Sequence, residues 1–300
     1  MEAYHRPALL EESIEGLNVK HGGIYVDATY GGGGHANAIL ERLREGKLFV
    51  FDQDTNALKN SKPDKKLHTI HANFRYMKRE LNAKGITQVD GIIADLGVSS
   101  HQIDTPERGF STRFNASLDM RMDTSEAHTA ADIINSYTVS KLTLIFSEYG
   151  EIANAHRLAH VITKARGEKP IHTTAELIAA IKECTPVQHP NKYLAKVFQA
   201  LRLELNEEMG ALKELLRQSA ELLNAGGRLA VISYHSLEDR LVKNYMRAGN
   251  FEGIPQKNMY GHDIRPFNPV TRKPIIPKEK EVELNNRARS AKLRIAEKTA

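Results

Sequence analysis

The sequence predicts an α/β fold in which a mostly helical block interrupts a domain built on a parallel sheet with helices on both faces. Strand and helix patterns alternate through the first hundred residues, which is typical of parallel sheets covered by helices. A glycine-rich turn joins the first strand to the helix after it. A block of helical patterns then separates this region from a further strand at Arg228–Ser233, which predicts an insertion.

The glycine-rich turn is the first candidate binding element. An apolar run, Gly23–Val26, predicts a buried strand, and Asp27 and the four glycines Gly31–Gly34 follow it. Glycine lets the backbone turn sharply and bring its N–H groups close to a ligand at the start of a helix. The next strand, Lys47–Phe51, leads to Asp52, near the spacing at which a carboxylate meets ribose hydroxyls. The turn therefore predicts an adenosine-type cofactor.

Two cofactor classes fit this turn. Gly31, Gly33 and Ala36 satisfy the dinucleotide fingerprint, which leaves a nicotinamide-dependent oxidoreductase open. Asp27 favours S-adenosylmethionine instead, because its carboxylate would repel a pyrophosphate but attract the cationic amino group of the methyl donor. A tight turn without a ligand is a third interpretation, and the chain entropy of four adjacent glycines disfavours it.

The remaining strands place more acids at the same edge of the sheet. Leu67–Ile70 and Val89–Asp95 read as the third and fourth strands, with a short helix predicted at Phe74–Leu81 between them. Asp27, Asp52 and Asp95 all end strands, and ligands of parallel sheets bind at the carboxyl ends of the strands. These positions predict one shared site.

Asp95, Ser99 and Ser100 are the candidate catalytic residues. They follow the fourth strand in a loop of small residues beside the predicted cofactor. Methyl transfer needs in-line positioning of a nucleophile, and a hydrogen-bond acceptor assists an exocyclic base amine as its charge develops. Anchoring of the loop is the alternative role for Asp95.

Three aromatic residues are candidates for holding a substrate base: Phe110, Tyr234 and His235. Tyr234 and His235 follow the strand at Arg228–Ser233, where they could stack on an extruded base. Residues 236–239 also fit a helix cap, which leaves a structural role open. Phe110, with Phe114 as an alternative, lies in a loop that also suits a core contact.

The helical block defines the predicted domains: 1–124 and 205–300 form the two parts of the sheet domain, and 125–204 is an insertion that binds a large substrate. A structural subdomain without substrate contact is the alternative. The predicted helices of the block, with a capping box at Thr173 and Glu176, are Ser140–Ser147, Ala153–Lys164, Ala175–Cys184 and Lys192–Leu205.

Composition predicts a cytoplasmic protein. The 300 residues are 41% hydrophobic and 26% charged, and no apolar segment approaches the roughly 20 residues of a membrane span. The first residues, Met1–Pro7, lack the apolar core of a signal peptide, and the single cysteine, Cys184, excludes an internal disulfide.

Positive charge is concentrated at the carboxyl terminus. Residues 265–300 contain ten Lys or Arg and four Asp or Glu, a local charge of +6, whereas the whole chain carries +5. This surplus fits contact with a polyanion such as nucleic acid. A solvated and partly mobile terminus explains it equally well.

A metal site is not predicted. His156 and His160 are four residues apart on a helical pattern, but Arg157 stands where the zinc motif has its glutamate, and no third ligand is apparent. Cys184 has no partner at metal-ligand spacing and reads as a small buried side chain.

Taken together, these segments resemble the bacterial MraW/RsmH family of S-adenosylmethionine-dependent methyltransferases, which modify cytosine N4 in 16S ribosomal RNA. The resemblance covers nearly the whole chain. The matching segments are Asp27–His35, Phe51–Asp52, Asn73–Phe74, Asp95–Ser100, Glu107–Ser111, Leu118–Met122, Phe198–Arg202, Ser233–Arg240 and Arg287–Ser290.

The resemblance implies a Rossmann-like class I methyltransferase domain with an inserted, mostly helical substrate-recognition domain. Its implied target is a cytosine in the decoding centre of 16S rRNA within the small ribosomal subunit. Whether the substrate is naked or assembled RNA, and whether the protein is a monomer or homodimer, stays open. A non-enzymatic RNA-binding assembly factor is the remaining alternative. The implied cofactor contacts are Gly33, Gly34, His35, Asp52, Phe74, Asp95 and Gln102.

Overall fold

A computed structural model describes residues 7–59, 61 and 63–300, so the prediction for Met1–Arg6 lies outside the described residues. The chain forms two compact units. The first comprises Met1–Gly97 and Met209–Ala300, and the second comprises Val98–Glu208. The sheet unit is thus built from both ends of the chain, and the second unit is an insertion.

The first unit contains a seven-stranded sheet in the order β3-β2-β1-β4-β5-β7-β6. The first five strands in this order are parallel, whereas β7 is antiparallel to both β5 and β6. The strands are β1 Ile24–Asp27, β2 Lys47–Asp52, β3 Leu67–His71, β4 Val89–Asp95, β5 Leu223–Ser233, β6 Phe267–Pro269 and β7 Lys292–Lys298.

The helices confirm the predicted alternation. In chain order they are α1 Leu10–Leu17, α2 Gly34–Arg42, α3 Thr55–Lys59, α4 Met77–Ala83, α5 Ser100–Asp104, α6 Ala130–Ser136, α7 Val139–Glu148, α8 Ala155–Glu168, α9 Thr174–Ala180, α10 Pro190–Leu205, α11 Glu208–Leu222, α12 Ser236–Ala248 and α13 Glu279–Leu284. Short 3-10 turns occur at Phe74–Tyr76, Pro106–Arg108, Lys182–Cys184 and Asn286–Ser290.

Both faces of the sheet are buried, as expected for parallel strands covered by helices. Successive side chains of a strand point to opposite faces. Accordingly, Leu48 and Val50 of β2 belong to one apolar cluster, and Phe49 and Phe51 belong to another. This double burial holds the strand ends, and the acids on them, in fixed positions.

The carboxyl terminus differs from the solvated, mobile segment that its charge allowed. β7 lies between β5 and β6 in the sheet, and Leu293 is fully buried. Leu293 and Ile295 face one apolar cluster, and Ala296 on the opposite face belongs to another. Arg294 on the other face donates to Asp239 of α12, with Nε and Oδ1 2.7 Å apart. Part of the positive charge is therefore used inside the fold.

The second unit has its own apolar core. It is formed by helices α6 to α10, and the loop residues Leu118 and Met120 are fully buried in it. The unit therefore begins at Val98, before the predicted insertion boundary at 125, because the loop packs with the helices. The capping box predicted at Thr173 and Glu176 is confirmed. No helix in the described part of the chain is long and apolar enough to cross a membrane.

Candidate functional site

Three carboxylates meet at the carboxyl edge of the sheet in the first unit. Asp27 ends β1 and pairs in register with Val50 of β2 and Ile93 of β4. Asp52 and Asp95 each lie two residues further along their strands. At about 3.3 Å per residue, Asp27 is at the floor of a notch roughly 7 Å deep. The strand order reverses direction between β1 and β4, which is where ligands of open α/β sheets bind.

The glycine turn forms one side of this notch. Gly31 and Gly33 have φ of 51° and 75°, which only glycine adopts readily, and Gly33 is the N-cap of α2. A Cβ on Gly33 would lie 2.8 Å from the Tyr30 hydroxyl oxygen. The Gly31 N–H donates to Oδ2 of Asp52 over 2.8 Å, so Asp52 fixes the turn.

Asp27 is an under-satisfied buried acid. Its side chain is 2% exposed; Oδ1 accepts from the Thr29 N–H at 3.0 Å. Oδ2 makes no hydrogen bond of ordinary geometry within the described part of the chain. Burial raises the pKa of Asp27 to about 7, repulsion from Asp52 adds to this rise, and the backbone N–H groups of Thr29 and, more weakly, Ala36 oppose it. An arriving cation would remove this cost.

Asp95 is held from two sides. Its backbone N–H donates to Thr29 Oγ1 at 2.6 Å, and its Oδ1 accepts from the Tyr234 hydroxyl at 2.8 Å. Burial raises the pKa of Asp95 to about 7, although the Tyr234 hydrogen bond works in the opposite direction. Because 22% of its side chain remains exposed, a ligand can still reach the carboxylate.

His35 completes the floor as a neutral imidazole. Its Nδ1 lies 3.9 Å from Oδ2 of Asp95, and its side chain is 5% exposed. Burial lowers the pKa of His35 to about 4, against a smaller opposing effect of the Ala8 backbone. At neutral pH His35 therefore adds no positive charge to the notch and does not neutralise the carboxylates.

The outer side of the notch follows β2 and β3. Asp52 Oδ1 accepts from the Asp54 N–H at 2.8 Å, and burial raises the pKa of Asp52. Asn73 caps the 3-10 turn that begins with Phe74, and Asn73 Nδ2 donates to Gln53 Oε1 at 2.7 Å. This network fixes Phe74 directly after β3, where the resemblance places an adenine contact.

Tyr234 and His235 both contribute to the N-terminal cap of α12. The backbone N–H of Tyr234 donates to Glu238 Oε2 at 2.9 Å, and Glu238 is 2% exposed. His235 is the N-cap of α12, with Glu238 as its capping-box partner. The cap is therefore one residue earlier than the predicted pattern at 236–239. Stacking of either ring on a base stays a prediction.

The remaining predicted site residues lie in the second unit. Ser99 caps α5, and its Oγ accepts from the Gln102 N–H at 3.2 Å while Gln102 Oε1 accepts from the Ser99 N–H. Ser100 is the first residue of α5. Phe110 is partly buried against the core of this unit, with the Arg108 guanidinium 5.8 Å from its ring centre. Ser99 and Gln102 therefore hold each other.

No group of three or more His, Cys, Asp or Glu side chains suitable for a metal occurs among residues 7–59, 61 and 63–300. His156 and His160 face each other on α8, with their Nε2 atoms 3.3 Å apart. Cys184 is buried, and burial raises the pKa of its thiol.

Sequence reasoning missed Thr29 and Glu238. Thr29 links the first and fourth strands by its bond to Asp95, and Glu238 anchors the segment that carries Tyr234. Thr29 lies within the segment that matched the family, between the strand and the glycines. For Glu238 the signal was its place three residues after His235, which is capping-box spacing, but histidine is not among the preferred cap residues.

The sheet, the switch-point notch and the glycine turn define a Rossmann-like α/β protein of the class I methyltransferase type. The model of the MraW methylase family matches residues 2–299. The chain belongs to this family.

Relatives that match over nearly their whole length are named as ribosomal RNA methyltransferases. The chain is 54% identical over 297 residues to ribosomal RNA small subunit methyltransferase H of Cytophaga hutchinsonii, covering 98% of this chain and 99% of the relative. It is 53% identical to the protein of the same name from Flavobacterium johnsoniae, covering 98% of each. A solved rRNA methylase from Streptococcus thermophilus is 14% identical with a TM-score of 0.43, covering 96% of this chain and 95% of that one.

Proposed function

We propose that this protein transfers a methyl group from S-adenosylmethionine to the exocyclic N4 of a cytosine in the decoding centre of 16S rRNA. The observation that carries the proposal is the notch of Asp27, Asp52 and Asp95 beside the glycine turn. Family membership and the names of the relatives support methylation of small-subunit rRNA. The cytosine N4 position rests on the resemblance and on the fit of Asp95 to an amine.

The residues of the first unit fit the proposed cofactor. S-adenosylmethionine supplies an electrophilic methyl group on a sulfonium, and it also carries a cationic amino group. The unsatisfied Oδ2 of Asp27 is a partner for a cation at the floor of the notch. The backbone at Gly33, Gly34 and His35 lines the turn, and Asp52 is placed to accept from ribose hydroxyls. Phe74 and Gln102 complete the set that the resemblance implies.

Asp52→Ala is expected to weaken binding of S-adenosylhomocysteine by about 1–3 kcal/mol, which is the usual cost of stranding a polar partner. The change removes the ribose acceptor and also releases the Gly31 N–H. Isothermal titration calorimetry measures the effect. Asp64→Ala, an exposed change outside the notch, is the matched control and should bind normally. Equal affinity of the two variants would remove Asp52 from the site.

Asp95 is the proposed acceptor for the amine proton. The lone pair of an exocyclic base amine is delocalised into the ring, so a hydrogen-bond acceptor assists attack as positive charge develops on nitrogen. A carboxylate with a pKa of about 7 is half ionised at neutral pH and matches that role. Ser99 and Ser100 are proposed beside it, and Tyr234 positions the carboxylate through Oδ1.

Tyr234→Phe is expected to move the acid limb of the pH profile of kcat/KM for the methyl donor upward by about one pH unit. The lost hydroxyl donates to the charged form of Asp95, so its removal raises the pKa of that carboxyl, and a bond to a charged group is worth about 1.5–3 kcal/mol. Activity should recover on the alkaline side. Tyr245→Phe, a change at a buried tyrosine within α12, is the control and should leave the profile in place. An unshifted limb in Tyr234→Phe would exclude this role.

The target base is proposed to be unpaired, because a base inside a duplex hides its amino group. Phe110, Tyr234 and His235 remain the candidates for stacking on it.

The insertion is proposed to contact the RNA. It carries 12 Lys or Arg and 14 Asp or Glu, so the basic surplus of the chain lies in the first unit.

Incubation with labelled S-adenosylmethionine tests the proposal. Under-methylated small subunits and naked 16S rRNA are offered side by side, and labelled nucleosides are identified after digestion. Label on cytosine N4 is the expected result, and the two substrates show which assembly stage is used. Label on another atom would overturn the cytosine N4 assignment, and salt-sensitive RNA binding without transfer would instead indicate the assembly factor.

A further inference from the structure

Exposed apolar side chains are concentrated along the outer edge of the sheet. Of the eleven large apolar residues exposed in the described part of the chain, six fall within residues 254–276. Scattered exposed apolar side chains need no explanation, but a contiguous group marks an interaction site. The six are Ile254, Met259, Tyr260, Ile264, Val270 and Ile276.

Met259 and Tyr260 form the tip of a hydrogen-bonded β-hairpin. Lys257 pairs with Asp263, and the Asn258 N–H donates to the His262 carbonyl at 2.9 Å. Asn258 Oδ1 accepts from the backbone N–H groups of Tyr260 and His262, both at 3.0 Å. Gly261 has a φ of 81° and closes the turn. These bonds fix the tip so that Met259 is 90% and Tyr260 is 78% exposed.

The surroundings of the tip are cationic. Residues 254–278 contain five Lys or Arg and one acid, Asp263, which lies 4.0 Å from Arg265. Lys257, Arg272 and Lys273 are exposed and form no ion pair within the described part of the chain. An aromatic ring on a fixed tip with unpaired cations beside it is suited to single-stranded nucleic acid. A protein surface would require acidic complements to those cations.

The hairpin is remote from the notch. It leads into β6, whose first residue, Phe267, pairs with Lys298 at the end of the sheet opposite Asp95. Asp95 pairs with Ile232, four residues along β5 from Arg228, which is opposite Glu297. Phe267 is one residue beyond that level, so the hairpin begins roughly 17 Å along the strands and roughly 14 Å across them from Asp95. A nucleotide at its tip is not the one that is methylated.

We infer that the hairpin at 256–264 is a second RNA contact, in which Tyr260 stacks on an unpaired base and Lys257 contacts phosphate. The inference rests on the proposed function, since it gives the RNA substrate a contact about 20 Å from the methylated base.

Binding of the S-adenosylhomocysteine-loaded protein to naked 16S rRNA and to under-methylated small subunits tests the contact. Tyr260→Ala should weaken binding to both about tenfold, in line with the loss of one base stack. Tyr260→Phe keeps the ring and should bind like the wild type. Lys257→Ala should lower the slope of log affinity against log salt by about 0.7–0.9. Leu284→Ala, an exposed apolar change on α13 in the first unit and outside the hairpin, is the control.

Each result has a distinct meaning. Because the tip is exposed, the variants should keep wild-type affinity for S-adenosylhomocysteine, which reports on the notch. Wild-type RNA binding by Tyr260→Ala would overturn the contact and leave the proposed function intact. A loss seen on small subunits but not on naked rRNA would overturn RNA as the partner and indicate a ribosomal protein. Failure of the wild type itself to methylate either substrate would overturn the proposed function, whereas the contact is decided by the binding of Tyr260→Ala alone.

Discussion

Asp95→Asn is expected to lower the single-turnover rate of methyl transfer by about 10²–10⁴-fold, the usual contribution of a positioned general base. Asparagine has nearly the same shape, and its carbonyl oxygen can still accept from the Tyr234 hydroxyl. The Thr29 bond uses the backbone N–H and is unaffected. The change therefore removes the proton-accepting capacity of the group while keeping its neighbours in place.

The measurement is a rapid-quench assay with labelled methyl donor, saturating protein and under-methylated small subunits. Asp90→Asn is a matched control on the same strand, because Asp90 lies near the opposite end of β4 and accepts from the Ile24 N–H at 2.9 Å. It should transfer methyl groups at the wild-type rate. If Asp95→Asn transfers within a fewfold of the wild type, Asp95 does not accept the proton.

Asp27→Asn is expected to stabilise the ligand-free protein while weakening cofactor binding. The folded-state pKa of about 7 lies above the unfolded value of 3.8, so the folded protein binds more protons between these limits. The contribution of Asp27 to stability is therefore present below about pH 4 and is lost as the pH rises to 7. At about 1.4 kcal/mol per unit, the variant should gain up to about 4 kcal/mol above pH 7.

Chemical denaturation at pH 5 and pH 8, with and without S-adenosylhomocysteine, measures both effects. The difference between wild type and variant is the relevant quantity, because the lowered pKa of His35 gives a pH dependence of the opposite sign between about 4 and 6.5. Asp119→Asn is a control in which the folding stability should change in the opposite direction. Burial opposes ionisation of Asp119, but the Arg121 hydrogen bonds and charge lower its pKa, so this variant should lose stability at pH 8.

A variant at Asp27 that gained stability and kept full cofactor affinity would contradict the proposed contact with the cationic amino group. A variant that lost stability at pH 8 would contradict the burial argument itself. The expected result is higher stability together with weaker cofactor binding. It would mean that the energetic cost of burying the under-satisfied Asp27 carboxylate is located at the cofactor site.

Local patterns predicted β1 to β4 because each of these elements is encoded within a few residues. Alternating apolar runs gave β1 to β4 to within about a residue of their observed bounds. The four glycines marked the turn before α2, since positive φ at Gly31 and Gly33 is a local requirement. The strand at Arg228–Ser233 was also predicted and is the second half of β5, but β6 and β7 were missed for the opposite reason. β6 has only three residues, and β7 owes its place to pairing with β5, 59 to 69 positions earlier in the chain.

The sequence by itself determined which residues stand at the carboxyl ends of the strands, since strand length and chain direction follow from local periodicity. It placed Asp27, Asp52 and Asp95 at one edge, and the resemblance supplied the family. Only the tertiary structure decided that β1 stops two residues short of its neighbours, so that Asp27 is buried with a raised pKa. It also decided that Tyr234, 139 positions from Asp95, donates to that carboxylate. Register, burial and long-range hydrogen bonds depend on atoms that the fold brings together, and no local pattern contains them.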